Sequence, residues 1–149
     1  MYFKHFYLSV NQITTLQIGT IYDLGAACFI KKEKKMVLPT NLKHVASEAE
    51  LNQILKDHEN VMVCCGRMGP MCVPVYDIME ELQDEYPQVE FRDMLFDNPE
   101  ARVIRELPEC RGFMGLPFTV YYKNGKVVAA TSSIQTKEQI TEILDREFK

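Results

Sequence analysis

The sequence carries no excess of positive charge: 17 lysines and arginines stand against 21 aspartates and glutamates, for a net charge of -4. Without a basic surplus there is little to release counterions from a phosphate backbone, which argues against nucleic acid as the main partner. No long apolar run is present either. The stretch from Ile18 to Ile30 is apolar but is interrupted by Gly19, Thr20, Asp23 and Gly25, and a membrane helix needs about 20 largely apolar residues. Cysteines are few, five in 149 residues. That is too few for a disulfide-built fold, and an odd number leaves at least one thiol free or paired with another chain. Sparing thiol use fits a reducing compartment better than secretion, so a cytoplasmic protein is expected. Internal repeats and low-complexity segments are absent, and the length suits a single domain.

Residues 1–35 read differently from the rest, mixing aromatic, glycine and polar residues without a helical or strand period. A secretory signal carries its positive charge before the apolar core, whereas Lys31, Lys32, Lys34 and Lys35 follow it here. Lys-Lys-Glu-Lys-Lys-Met can be encoded by a purine run ahead of a start codon, as at a translated bacterial ribosome-binding site. Two readings stand: residues 1–35 are a poorly ordered extension, or they are an upstream translation artefact with Met36 the true start.

From Met36 onward the chain alternates strand and helix. Leu42 to Ala46 is a short strand candidate. Ser47 and Glu50 have the spacing of a capping box, and Leu51, Ile54 and Leu55 share the face of the helix behind it. Val61 to Cys65 is a continuous apolar run, suited to a strand buried on both faces. Gly66, Gly69 and Pro70 end it. Cys72, Val75, Ile78, Met79, Leu82 and Tyr86 then recur at helical spacing. Val89 to Phe96 is a strand. Asn98-Pro99 opens a helix whose buried face is Ala101, Val103, Ile104 and Leu107. Pro117 to Lys123 and Lys126 to Ser132 flank Asn124-Gly125, a hairpin turn. Thr136 with Gln139 caps a last helix with Ile140, Ile143, Leu144 and Phe148 on its core face. This order predicts an α/β fold, a mixed sheet of four to five strands with helices on both faces.

Several of these motifs resemble thioredoxin. Gly115-Leu116-Pro117 is similar to the family's Gly-Ile-Pro, whose proline is cis and faces the active site. Lys123-Asn124-Gly125-Lys126 is similar to the family's Lys-Asn-Gly-Glu hairpin at the matching distance, and Asp97-Asn98-Pro99 to its Asn-Pro helix start. Val61 to Leu82 aligns without a gap to the central strand, active-site turn and following helix, so residues 36–149 are expected to form a thioredoxin-like domain. Aligning the apolar helix face puts Cys72 at the family's second, buried cysteine and Gly69 at the first, nucleophilic one, so the motif reads Gly69-Pro70-Met71-Cys72. Met68 stands at the family's tryptophan, Val63 at its buried acid and Asp77 at its helix proline. A second register, matching Gly69-Pro70 to the family's Gly-Pro, puts methionine at both cysteine positions and spoils the helix face.

Thiol–disulfide exchange needs an accessible thiolate, and a helix N-terminus favours one. Cys72, in the first turn of a helix and close in sequence to Arg67, is the candidate reactive thiol; the family's second cysteine is the less exposed of the pair. Cys65, at the strand end, and Cys110, in a loop several residues longer than the family's, are candidate resolving partners, with Cys65 slightly favoured because a short flexible turn joins it to Cys72. Cys64 is expected to point into the core as a small hydrophobe. Cys28 is given no role. His44 and His58 read as surface positions near helix ends. No cofactor is expected, and no metal, since Cys65, Cys72 and Cys110 lack ligand spacing and a neighbouring histidine.

If Pro117 is cis, as the resemblance implies, the backbone before it is free to pair with an extended peptide. Gly69, Pro70, Met71, Met114, Leu116 and Pro117 are then the expected substrate-binding rim, with Met68 and Phe113 beside it. Two functions fit: a thiol–disulfide oxidoreductase acting through Cys72 on protein thiols or disulfides and served by a reductase, or a redox-inactive module binding a partner's peptide in the same groove. A third is a carrier dedicated to one enzyme system, selected by the loop from Leu107 to Met114.

Overall fold

The computed structural model describes residues 36–149; the readings of residues 1–35, including Cys28, lie outside the described residues. Five strands and four helices alternate along this part of the chain. β1 (Lys43–Val45) leads to α1 (Glu48–Asp57), β2 (Asn60–Gly66), α2 (Val73–Glu85) and β3 (Val89–Leu95). A 3-10 turn then runs into the four-residue α3 (Arg102–Arg105), and β4 (Phe118–Lys123), β5 (Lys126–Ser132) and α4 (Lys137–Phe148) complete the order.

The sheet order is β1-β3-β2-β4-β5. β1, β3 and β2 run parallel, while β4 and β5 are antiparallel additions. β2 is flanked on both sides and every one of its residues is buried, the outcome its continuous apolar run implies. Asn124 and Gly125 both have positive φ, 51° and 74°, as a two-residue hairpin turn requires.

Side chains of β2 alternate between two cores. Met62 and Cys64 pack under α2 and α4 with Val75, Met79, Leu82, Ile140 and Leu144. Val61, Val63 and Cys65 pack on the other side with Leu51 and Ile54 of α1, Ala101 of the 3-10 turn and Ile104 of α3.

Helix ends follow local chemistry. The Ser47 hydroxyl accepts from Glu50 N at 3.1 Å, and the Glu50 carboxylate reaches back to accept from Ala46 N at 2.9 Å. The Thr136–Gln139 capping box is complete in both directions. Asn98 accepts from Glu100 N at 3.0 Å and donates to Ala46 O at 2.8 Å, tying the end of β1 to the 3-10 turn.

Two expectations need correcting. The helix after Asn98-Pro99 is short: a 3-10 turn at Pro99–Ala101, one turn of α3, then a second 3-10 turn at Pro108–Cys110 inside the longer loop. Ala101 and Ile104 are buried, but Val103 and Leu107 are only partly so, because one helical turn cannot bring all four onto one face. His44 belongs to β1, not to a helix end, and its Nδ1 lies 2.7 Å from Oδ1 of the fully buried Asp93. His58 does cap the C-terminus of α1 and is exposed.

Candidate active site

At the C-terminal end of β2 the chain turns through residues 67–71 before entering α2. Cys72 is the N-cap of that helix, one residue outside the first turn expected for it, with φ -94° and ψ -41°. The backbone N–H groups of Cys72 and Val73 both donate to Gly69 O at 3.0 Å, closing the turn. The thiol sits where the unpaired amides of a 13-residue helix place partial positive charge, yet Cys72 is only 3% exposed.

The surroundings of that thiol centre on Gly66. A Cβ at Gly66 would lie 2.6 Å from Tyr76 Oη, 2.9 Å from Cys72 Sγ and 3.0 Å from Cβ of Pro117. A thiol, a phenol hydroxyl and a proline ring therefore occupy the space that any other residue at position 66 would need. Tyr76 is 1% exposed, and its hydroxyl donates to Arg67 O at a long 3.4 Å. Burial pushes its ionisation well above the usual phenol range.

Opposite Cys72 stands the loop leading into β4. The Leu116–Pro117 peptide bond is cis. Ser133 N donates to both Gly115 O and Pro117 O at 3.0 Å, which fixes the carbonyls on either side of Leu116. Around the opening Met68, Met71 and Met114 are 49%, 44% and 98% exposed. Arg67 is held in a bidentate pair with Asp97 at 2.7 and 2.6 Å, with its guanidinium 5.2 Å from the Phe96 ring centre, and its charge still acts on Cys72.

Solved structures share this architecture. A thioredoxin of Plasmodium falciparum matches with a TM-score of 0.59 and 22% identity, over 71% of this chain and 99% of that one. Mitochondrial thioredoxin 3 of Saccharomyces cerevisiae, in its oxidised form, matches at 0.58 and 18%, over 70% and 94%. A thioredoxin mutant of Entamoeba histolytica matches at 0.57 and 17%, over 70% and 98%. The fold is the thioredoxin fold. No protein-family model matches the chain. No curated protein sequence matches it either.

Within that thioredoxin fold the four described cysteines are all free and buried. They divide between the two cores. Cys72 shares its core with Cys64, whereas Cys65 and Cys110 share the other, with Tyr122 and Phe118. Alternation along β2 points Cys65 into the core that Cys72 does not share, with the two thiols still close enough to act on one another electrostatically. Cys110 is in the Cys65 core, held there by the second 3-10 turn.

Burial dominates the chemistry of these thiols. It pushes Cys65 up to about 12, offset in part by Arg105, and Cys110 up to about 11. Cys64 is raised as well, and its sulfur accepts from the Thr119 hydroxyl at 3.7 Å. Thiols this far above neutral pH carry almost no thiolate. Among the described residues no three His, Cys, Asp or Glu side chains group so as to hold a metal ion, and no helix is long and apolar enough to cross a membrane.

Gly66, Tyr76 and Asp93 complete the site and its base, and sequence reasoning passed over all three. Tyr76 had a signal, since it lies four residues after Cys72 and so on the same helical face. Gly66 read only as a strand breaker. Asp93 follows Val89 and Phe91 at a spacing of two along β3, which places it on their buried face despite its charge.

Proposed function

We propose that this protein is a thioredoxin-like redox protein that exchanges disulfides through one thiol, Cys72. The observation that carries this reading is the placement of Cys72 Sγ at the N-cap of α2, against Gly66 and beside cis-Pro117. In the exchange, the Cys72 thiolate attacks one sulfur of a substrate disulfide. A mixed disulfide forms, and the other substrate sulfur leaves as a thiolate that takes a proton from water. With Cys65 and Cys110 in the other core, resolution falls to a small external thiol. Its thiolate attacks the substrate sulfur of the mixed disulfide, a disulfide between substrate and small thiol forms, and Cys72 leaves as the thiolate.

The substrate class is an extended segment of a protein carrying a thiol or disulfide. It lies beside Leu116 and Pro117, with Gly69, Pro70, Met71 and Met114 forming the rim, and a reductase supplies the electrons that reduce the disulfide left between substrate and small thiol. The exposed methionines supply an adaptable apolar surface for such a segment. The setting is reducing, and we place it in the cytoplasm.

The slight exposure of Cys72 favours a second reading, a redox-inactive module that binds a peptide in the same groove. One experiment separates them: reaction of the full chain with a neutral aromatic disulfide at pH 7, followed by peptide mapping, for wild type and Cys72→Ser. A mixed disulfide at Cys72 that is lost in the variant supports the redox reading. An unmodified Cys72 in folded protein sinks it and leaves the binding module.

A further inference from the structure

We infer that Tyr76 is the hydrogen-bond donor to the Cys72 thiolate, a role that rests on the redox reading above. Three observations lead there. Tyr76 Oη and Cys72 Sγ lie 2.6 and 2.9 Å from a single point, the Cβ position left open by Gly66. The two residues are four apart, with Tyr76 N donating to Cys72 O at 3.2 Å, so the first turn of α2 holds their side chains on one face. The hydroxyl is committed only to Arg67 O at 3.4 Å, a long bond that leaves its hydrogen free to turn.

In the thiol state the hydroxyl points to the Arg67 carbonyl. When Cys72 loses its proton to solvent, the same hydrogen turns to the sulfur anion. Tyr76 keeps its proton throughout, because burial disfavours the phenolate. A charge-assisted hydrogen bond in a dry site is stronger than a neutral one. It therefore favours the ionised thiol and also stabilises Cys72 as the leaving group when the mixed disulfide is resolved. Gly66 is part of the device, since any side chain there would separate the hydroxyl from the sulfur.

Other groups that titrate or carry charge face this pair. They are Cys64 and Cys65 on β2, Asp93 on β3 and Arg67 in the turn. Of these, Arg67 is bound to Asp97, and the cysteines carry no charge at neutral pH. Asp93 is the one acid behind the site, and its charge opposes a thiolate. Arg67 attracts the anion from within its pair with Asp97, and the Tyr76 hydroxyl is the neutral donor on the Gly66 side of the sulfur.

The test is the pH profile of Cys72 reacting with a neutral aromatic disulfide, and in parallel the ultraviolet absorbance of its thiolate, in wild type, Tyr76→Phe and Tyr121→Phe. Tyr76→Phe keeps the ring and deletes only the hydroxyl. Tyr121→Phe makes the same change elsewhere in the same core, at a hydroxyl that faces Thr131. Tyr76→Phe is expected to shift the midpoint up by about one pH unit and to raise the high-pH plateau about threefold, slowing the reaction about threefold at pH 7. Tyr121→Phe is expected to move neither. A Tyr76→Phe profile that superimposes on wild type overturns the inference and leaves the Cys72 reading standing. So does a lowered plateau with no midpoint shift, which marks a packing role. A wild-type Cys72 that does not react at all overturns the redox reading and this inference with it.

Discussion

Cys64 and Cys65 are neighbours in the chain and belong to opposite cores. Cys64 packs with Cys72 beneath α2 and α4, and Cys65 packs with Cys110 beneath α1 and α3. Cys72 thus shares its core with Cys64, while the two partners its sequence suggested lie in the other.

Cys65 and Cys110 are expected to be inert in the folded protein. With Cys65 at about 12 and Cys110 at about 11, their thiolate fractions at neutral pH are about a thousandfold and about a hundredfold below those of free thiols. Pulsed alkylation with mass-spectrometric mapping, with and without denaturant, measures this. Rapid labelling of Cys65 in the native state would contradict its placement in the core.

Gly69→Cys is expected to create a working dithiol. A Cβ added at Gly69 would meet nothing within 4 Å, and the backbone there has no positive φ to strain a side chain. Its carbonyl already accepts from Cys72 N, so the two residues close one turn. The variant should form a disulfide between the introduced thiol and Cys72, and reduce insulin at least about tenfold faster than wild type, since an intramolecular resolving thiol replaces a bimolecular step. Absence of that disulfide under mild oxidation would show that the turn does not hold the two positions within bridging distance.

Asp93 makes a pH-dependent contribution with a definite sign. Burial raises its carboxyl above the usual aspartate range, and hydrogen bonds from Thr40 and His44 pull it back only in part. The folded state then holds the proton more tightly than the unfolded chain, whose aspartates titrate near about 3.9. Stability from this group is fully present below that value and is lost as pH rises through the higher folded value. Asp93→Asn should remove the loss. The stability difference between the variant and wild type, from urea melts at pH 3 to 7, should move in favour of the variant as pH increases. A difference independent of pH would refute the assignment.

Asn98→Ala should cost about 1–3 kcal/mol, because it breaks two hydrogen bonds of a buried side chain and leaves Ala46 O unpaired. Chemical denaturation reads this directly. A change below about 0.5 kcal/mol would mean that water replaces the amide without loss.

What the sequence determined by itself is what local physics decides. The apolar run of β2, the caps at Ser47, Asn98 and Thr136, and the Asn124-Gly125 turn each act over a few residues, and each is where its chemistry places it. The apolar face of α2 is legible in the same way, with Val75, Met79 and Leu82 buried where helical spacing puts them. The tertiary structure decided which thiols meet. Two adjacent cysteines at a strand end look equivalent along the chain, but alternation sends them to opposite faces, and only the packing of α2 and of the 3-10 turn at Pro108–Cys110 shows which face each partner occupies. The same holds for Gly66. Its lack of a side chain reads as a break in a strand, and its purpose appears only when Tyr76, Cys72 and Pro117, brought from two other elements, fill the space where a Cβ would stand.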